Sequence, residues 1–128
     1  QQRSSAASDV YKRQIKGRIF EIKNFYEGIS RFNFDELCDN NLGAEDYLEI
    51  VKNLKFMIIE KIPQFNDINS NQQQRFITLI DIIYDKNLPI AVTASQNIHE
   101  FTTSRSLEEP FKRTISRLYE LTSMKYNI

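Results

Sequence analysis

Apolar and polar positions follow two different rhythms along this chain, and each rhythm predicts a different kind of element. Apolar residues recur at helical spacing in three stretches, which we predict to be amphipathic helices. The positions are Tyr47, Ile50, Val51 and Leu54, then Phe76, Leu79, Ile80 and Ile83, and finally Phe111, Ile115, Leu118 and Thr122. Continuous apolar runs at residues 56–59 and 90–92 have the length of strands that are buried on both faces. Helices and buried strands therefore alternate, which predicts βαβ units and parallel strands.

Two shorter apolar runs precede the first of these helices. They lie at residues 19–22 and 29–34 and are separated by turn-forming residues 24–28, a pattern that favours a strand, a turn and a strand paired as a hairpin. Residues 34–38 are typical of a single helical turn. We therefore predict an α/β fold in which a β-hairpin lies at one edge and βαβ-type units form a mostly parallel sheet.

The central helix carries more apolar surface than a one-faced helix needs. Ile77, Ile82 and Tyr84 widen its apolar arc, so we expect it to pack on more than one side. Asn87 and Pro89 then end it. The polar residues 66–74 lead into this helix, and the polar residues 95–110 separate the last strand from the final helix, which we predict to begin at Phe111.

The first fourteen residues read differently from the rest of the chain. Residues 4–14 (SSAASDVYKRQ) are similar to the in-frame translation of a sequencing-library adaptor. We therefore expect residues 1–14 to be a disordered artefact and residues 15–128 to be the natural α/β segment, cut at its N-terminus. Removing three basic residues and one acidic residue turns the balance of 17 basic and 17 acidic side chains into a slight acidic excess.

Composition narrows the function classes. A hydrophobic content of 41% with 27% charged residues is typical of a globular protein, and no apolar run approaches the ~20 residues of a membrane-spanning helix. Interspersed charges without a basic cluster argue against nucleic acid as a partner. The one cysteine, Cys38, excludes an internal disulfide and is interpreted as a small buried hydrophobe. Because His99 is the one histidine of the sequence, the chain offers no metal site of clustered His and Cys ligands.

One pair of residues occupies positions like those used in nucleotide hydrolysis, and this can be seen without a family resemblance. Glu60 ends one predicted buried strand and Thr93 ends the next, as the magnesium-orienting acid and the phosphate-sensing polar residue do in P-loop ATPases. Ordinary strands also end in charged residues, and the chain has no Gly-x-x-x-x-Gly-Lys-Ser/Thr loop to hold the phosphates. Glu60 and Thr93 are therefore weak candidates for nucleotide binding.

Longer motifs are more specific. They are residues 32–38 (FNFDELC), 42–47 (LGAEDY), Pro63, 75–85 (RFITLIDIIYD) and 111–121 (FKRTISRLYEL). In this order they resemble the C-terminal part of the ZapE-type cell division ATPases, whose mitochondrial relatives are the AFG-like ATPases. The resemblance runs from about Gly28 to Tyr126.

The resemblance implies a P-loop, AAA-like ATPase that uses ATP and Mg²⁺ held by an upstream domain. It also implies partners among division-ring or inner-membrane proteins, and a place in the cytoplasm, peripheral to the inner membrane, or in the mitochondrial matrix. A homo-oligomer of the intact protein stays open. We expect no ATP hydrolysis from the chain alone.

Within this segment the resemblance directs attention to arginines. Arg113 and Arg117 lie on one face of the last helix and Arg75 begins the central one, so these three are candidates for sensing a terminal phosphate. The alternative is that they pair with Glu120 or neighbouring acids on a solvated face. A second function class is a non-catalytic α/β interaction module that binds another protein through residues 95–110.

Overall fold

Five strands and four α-helices make up the part of the chain that the computed structural model describes, which is residues 9–15 and 18–123, with side chains from residue 26 onward. In chain order they are β1 (Asp9–Ile15), β2 (Arg18–Phe25), β3 (Ile29–Asn33), α1 (Phe34–Cys38), α2 (Ala44–Val51), β4 (Phe56–Ile62), α3 (Ser70–Asp85), β5 (Ile90–Ala94) and α4 (Glu108–Thr122). Two short 3₁₀ turns, Ile98–Glu100 and Arg105–Leu107, lie between β5 and α4.

The three central strands form a parallel sheet in the order β3-β4-β5. Ile29 lies opposite Phe56, and Met57 lies opposite Ile90. Helices α1 and α2 connect β3 to β4, and α3 connects β4 to β5, so the predicted βαβ units are confirmed. The α/β class with a mostly parallel sheet is therefore correct.

The predicted hairpin was assigned to the wrong pair of strands. β2 pairs in antiparallel fashion with β1, whereas β3 pairs in parallel with β4. Across the predicted turn the structure shows an isolated antiparallel bridge between Tyr26 and Ile29. Gly28 at this turn has a φ of 87°, and a Cβ there would lie 2.9 Å from Lys55 Cγ. The Gly28 carbonyl also accepts from the Lys55 N–H at 2.7 Å, which joins this turn to the start of β4.

The N-terminal segment also differs from expectation. Residues 9–14 lie in β1, in contrast with the disorder expected for residues 1–14, because they find hydrogen-bonding partners in β2. Residues 1–8 lie outside the described residues. The adaptor origin of residues 1–14 stays a prediction.

β4 is buried less evenly than the sequence indicated. Met57, Ile59 and Ile62 are buried, but Phe56 and Ile58 on the other face are partly exposed. The register against β5 shifts between Ile59 and Ile62, and Lys61 within this bulge has a φ of 62°. The alternation shows a strand with one fully buried face, as in a sheet covered mainly on one side.

The ends of α3 and α4 explain their lengths. After α3, Asn87 has a φ of 58°, its N–H donates to Tyr84 O at 3.0 Å, and the Leu88 N–H donates to Ile83 O at 3.1 Å. This is a Schellman motif, which satisfies carbonyl groups at the end of the helix. α4 begins three residues earlier than predicted, because acidic Glu108 and Glu109 suit a helix N-terminus and Pro110 is tolerated in a first turn.

The core lies where the helices cover the sheet, and aromatic rings mark its centre. Phe65, in the loop after β4, lies 5.6 Å from Phe34 of α1, 5.6 Å from Phe76 of α3 and 5.5 Å from Phe111 of α4, measured between ring centroids. One loop residue therefore contacts three helices. α3 is buried over most of its circumference, which confirms the prediction that it packs on more than one side.

Candidate functional site

Two arginines of α4 converge on one carboxylate of α3. Arg117 NH1 lies 2.7 Å from Asp81 Oδ1, and Arg113 NH2 lies 3.2 Å from Asp81 Oδ2. The exposed fractions of the three side chains are 49% for Arg113, 25% for Arg117 and 31% for Asp81. The prediction that both arginines point the same way is confirmed, and each guanidinium holds a separate oxygen of the same group.

The surroundings of Arg117 restrict it further. Its guanidinium carbon lies 4.5 Å from the centroid of the Tyr84 ring, a cation–π contact. A hydrogen bond with the Glu120 carboxylate raises the pKa of the Tyr84 phenol. Arg117 is therefore held by a carboxylate and by an aromatic face, and Arg113 is held by the same carboxylate.

Asp81 is the residue that sequence reasoning missed. Neighbouring acids were expected as alternative partners of the arginines, but Asp81 was not identified among them. A signal was present, because Gln74, Thr78, Asp81 and Asp85 form a polar stripe along the helix at i, i+4, i+7 and i+11. Arg113 and Arg117 have the matching one-turn spacing on α4. Which helix they would face could not be known before the two were packed together.

Arg75 lies apart from this pair and makes a different contact. Its NH1 donates to the Cys38 carbonyl at 3.0 Å, and the carbonyl belongs to the last residue of α1. A cation at a helix C-terminus satisfies an unpaired carbonyl and interacts favourably with the helix dipole. The structure therefore shows Arg75 joining α3 to α1, and its phosphate-sensing role stays a prediction.

Glu60 and Thr93 lie on the adjacent strands β4 and β5, and both side chains are engaged by the fold. Thr93 Oγ1 accepts a hydrogen bond of 2.9 Å from the Lys61 N–H inside the bulge of β4. Glu60 Oε2 lies 3.9 Å from Arg31 Nε. Thr93 thus satisfies a backbone N–H group in the irregular part of β4. The described residues beside this pair include no Gly-x-x-x-x-Gly-Lys-Ser/Thr loop that could hold phosphates.

The loop of residues 95–110 is attached to the body of the molecule by side chains. The Thr102 hydroxyl donates to Phe65 O at 2.7 Å, and the buried Gln73 accepts from the Ser104 N–H at 3.0 Å and donates to Thr103 Oγ1 at 2.7 Å. Asp67 accepts from the Arg105 N–H at 2.9 Å. His99 has its Nδ1 3.1 Å from Tyr119 Oη at an exposed site.

The FDELC and LGAEDY motifs form structural contacts in α1 and α2. The Tyr47 hydroxyl donates to the Leu37 carbonyl at 2.7 Å, and Asp46 Oδ2 accepts from the Gly43 N–H at 2.8 Å at the start of α2. Cys38 is buried, as expected, and burial raises the pKa of its thiol above the ordinary value. The Tyr47 contact joins α1 to α2 and the Asp46 contact caps α2, so both are structural.

The described residues also limit what the site can bind alone. In residues 26–123 no group of three or more His, Cys, Asp or Glu side chains is arranged to hold a metal ion. Among the described helices, none has the length and apolar character needed to cross a bilayer.

Comparisons with known proteins agree with this arrangement of motifs. A family model described as AFG1-like ATPase matches residues 1–128. Over 80 residues, 62% of this chain and 16% of the relative, the sequence is 35% identical to Lactation elevated protein 1 homolog B of Danio rerio. Over 94 residues, 73% of this chain and 25% of the relative, it is 26% identical to Cell division protein ZapE of Escherichia coli strain K12. The chain thus spans a quarter or less of these relatives, and no solved structure matches it.

Proposed function

The chain belongs to the AFG1-like ATPase family, and on that premise we propose that it is the C-terminal α/β part of a P-loop ATPase. In this proposal another part of the polypeptide holds ATP and Mg²⁺. The match over residues 1–128 and the parallel β3-β4-β5 sheet support it. The absence of a P-loop from these 128 residues is consistent with a division of labour between two parts of a longer chain.

The observation that carries the proposal is the convergence of Arg113 and Arg117 on one oxyanion, the Asp81 carboxylate. Guanidinium groups stay charged and donate in a planar fork that matches phosphate as well as carboxylate. A preorganised pair of this kind can stabilise negative charge that develops on a transferred phosphoryl group. We propose that this is the contribution of α4 to ATP hydrolysis, within one subunit or across a subunit contact.

The remaining requirements of hydrolysis fall outside the described residues. Bound Mg²⁺ would neutralise charge on the phosphates, but residues 26–123 hold no suitable ligand cluster. The chain alone is therefore expected to show no ATP turnover, and its own side chains supply positive charge and orientation only.

The cellular role follows the relatives. One relative is named a cell division protein, so we propose a role in regulating the division ring, with partners there or among inner-membrane proteins. Handling of membrane proteins is the corresponding role for a mitochondrial member. The corresponding locations are the cytoplasm, peripheral to the inner membrane, for a bacterial member and the mitochondrial matrix for a mitochondrial one. No specific contact favours the alternative of a non-catalytic module binding through residues 95–110, because this loop is fastened by Gln73, Asp67 and Phe65.

The test removes one guanidinium at a time from the full-length protein. In Arg117→Ala we expect the kcat for ATP hydrolysis to fall by about 10³ or more, the range measured for arginines that stabilise phosphoryl transfer, with a much smaller change in KM. Arg113→Ala should show the same pattern. Steady-state turnover at saturating ATP is the measurement.

Lys112→Ala is the matched control. Lys112 lies beside Arg113 on the same helix, but its ammonium pairs with Glu109 at 3.0 Å and lies away from Asp81. It should retain kcat within about twofold, as expected for a surface substitution. Unchanged turnover in both arginine variants would reject the proposal.

A further inference from the structure

The Asp81 carboxylate bridges Arg113 and Arg117 and could hold the two guanidinium groups in position when no phosphate is bound. We propose that Asp81 occupies the position of an oxyanion ligand, so that Arg113 and Arg117 form a phosphoryl-binding site which Asp81 fills and a polyphosphate displaces. The identity of that polyphosphate as ATP rests on the proposed function. The binding site itself does not.

The geometry of the contact is that of a ligand and its receptor. Each oxygen of Asp81 is held by a different guanidinium, at 2.7 and 3.2 Å, so the carboxylate bridges the two arginines. A phosphoryl group also presents more than one oxygen from a single centre, and arginine binds both groups in the same planar fork.

The site is open to a ligand from solvent. About half of the Arg113 side chain and a quarter of the Arg117 side chain are exposed, so N–H groups remain accessible at the rim. Arg117 keeps its orientation through the Tyr84 ring, whose centroid lies 4.5 Å from the guanidinium carbon and does not depend on Asp81. Loss of the carboxylate contact therefore leaves Arg117 positioned.

The charges explain why exchange would favour a polyphosphate. Asp81 offers one negative charge to the two guanidinium groups, while Glu120 is hydrogen-bonded to the Tyr84 phenol. Partly exposed ion pairs are weak because water screens them. A ligand that carries several negative charges can replace one carboxylate and bind both guanidinium groups.

The experiment titrates inorganic tripolyphosphate into the 128-residue chain and follows backbone amide shifts along α4 by NMR. In Asp81→Asn the ligand no longer has to break two ion pairs, so its affinity should rise by about fivefold over the unaltered chain. Asp85→Asn removes the same charge one turn further along α3 and controls for overall electrostatics. It should change the affinity far less.

Three results would overturn the inference. They are an Asp81→Asn affinity equal to or below that of the unaltered chain, an equal gain in Asp85→Asn, or shifts that lie away from α4. Should Asp81→Asn not fold, Arg113→Ala decides the matter, since it must weaken tripolyphosphate binding by about tenfold and an unchanged affinity refutes the site. Tripolyphosphate binding combined with normal ATP turnover in the full-length Arg117→Ala protein would keep this site and reject the proposed function.

Discussion

Helices α3 and α4 contact each other in two regions, of which one is apolar and buried and the other is charged and partly exposed. In the core, Phe76 and Phe111 pack around Phe65, and all three rings are buried. At the rim, Asp81 meets Arg113 and Arg117 in partial contact with water. Burial of apolar area stabilises the fold strongly, whereas exposed ion pairs contribute little. The rim is therefore not needed to hold the helices together and is available to bind a ligand.

The largest expected effect is on the apolar region. Phe65→Ala removes the ring that contacts three helices and leaves a cavity, so the free energy of unfolding should fall by about 3–5 kcal/mol. Denaturant unfolding followed by circular dichroism measures it. Ile68→Ala is the control, because Ile68 lies three residues away in the same loop with 94% of its surface exposed. A loss of less than 1 kcal/mol in Phe65→Ala would show that the aromatic cluster is not the centre of the core.

A smaller effect is expected at the buried hydroxyl that joins α1 to α2. Tyr47→Phe leaves the Leu37 carbonyl without its hydrogen-bond donor in a buried place, which should cost about 1–3 kcal/mol of unfolding free energy. Tyr119→Phe makes the same chemical change where the hydroxyl is exposed beside His99, and it should cost less than about 0.5 kcal/mol. Equal losses in the two variants would contradict the distinction between buried and exposed polar contacts.

The smallest expected effect on stability is at the rim. Asp81→Asn breaks two partly exposed ion pairs, so the unfolding free energy should fall by only about 1 kcal/mol or less. The midpoint of denaturant unfolding, compared with that of Asp85→Asn, is the measurement. A loss of several kcal/mol would mean that Asp81 acts chiefly as a structural anchor, and the comparison between the two regions would fail.

Local features of the sequence predicted most of the fold. The helical spacing of Phe76, Leu79, Ile80 and Ile83 identified α3, and the apolar runs identified β4 and β5. Strand pairing was harder, because nothing local in residues 29–34 shows whether they pair back to β2 or forward to β4. The outcome depends on contacts such as that between Gly28 and Lys55, which are distant in sequence.

The site was predicted in part for the same reason. The arginine types and their spacing were visible, and so was their common face on α4. Their partner Asp81 is 36 residues from Arg117 and becomes a neighbour only when α3 and α4 pack together. The network that fastens residues 95–110 to Gln73 and Phe65 was not predicted, because single side-chain hydrogen bonds leave no periodic signal.

The most direct test of the central claim applies two measurements to one variant, Arg117→Ala, in the full-length protein. The account predicts that its unfolding free energy stays within about 1 kcal/mol of the unaltered protein while its kcat for ATP falls by about 10³ or more. Normal turnover, or a loss of activity that merely follows a collapse in stability, would contradict the claim that the rim arginines read phosphate.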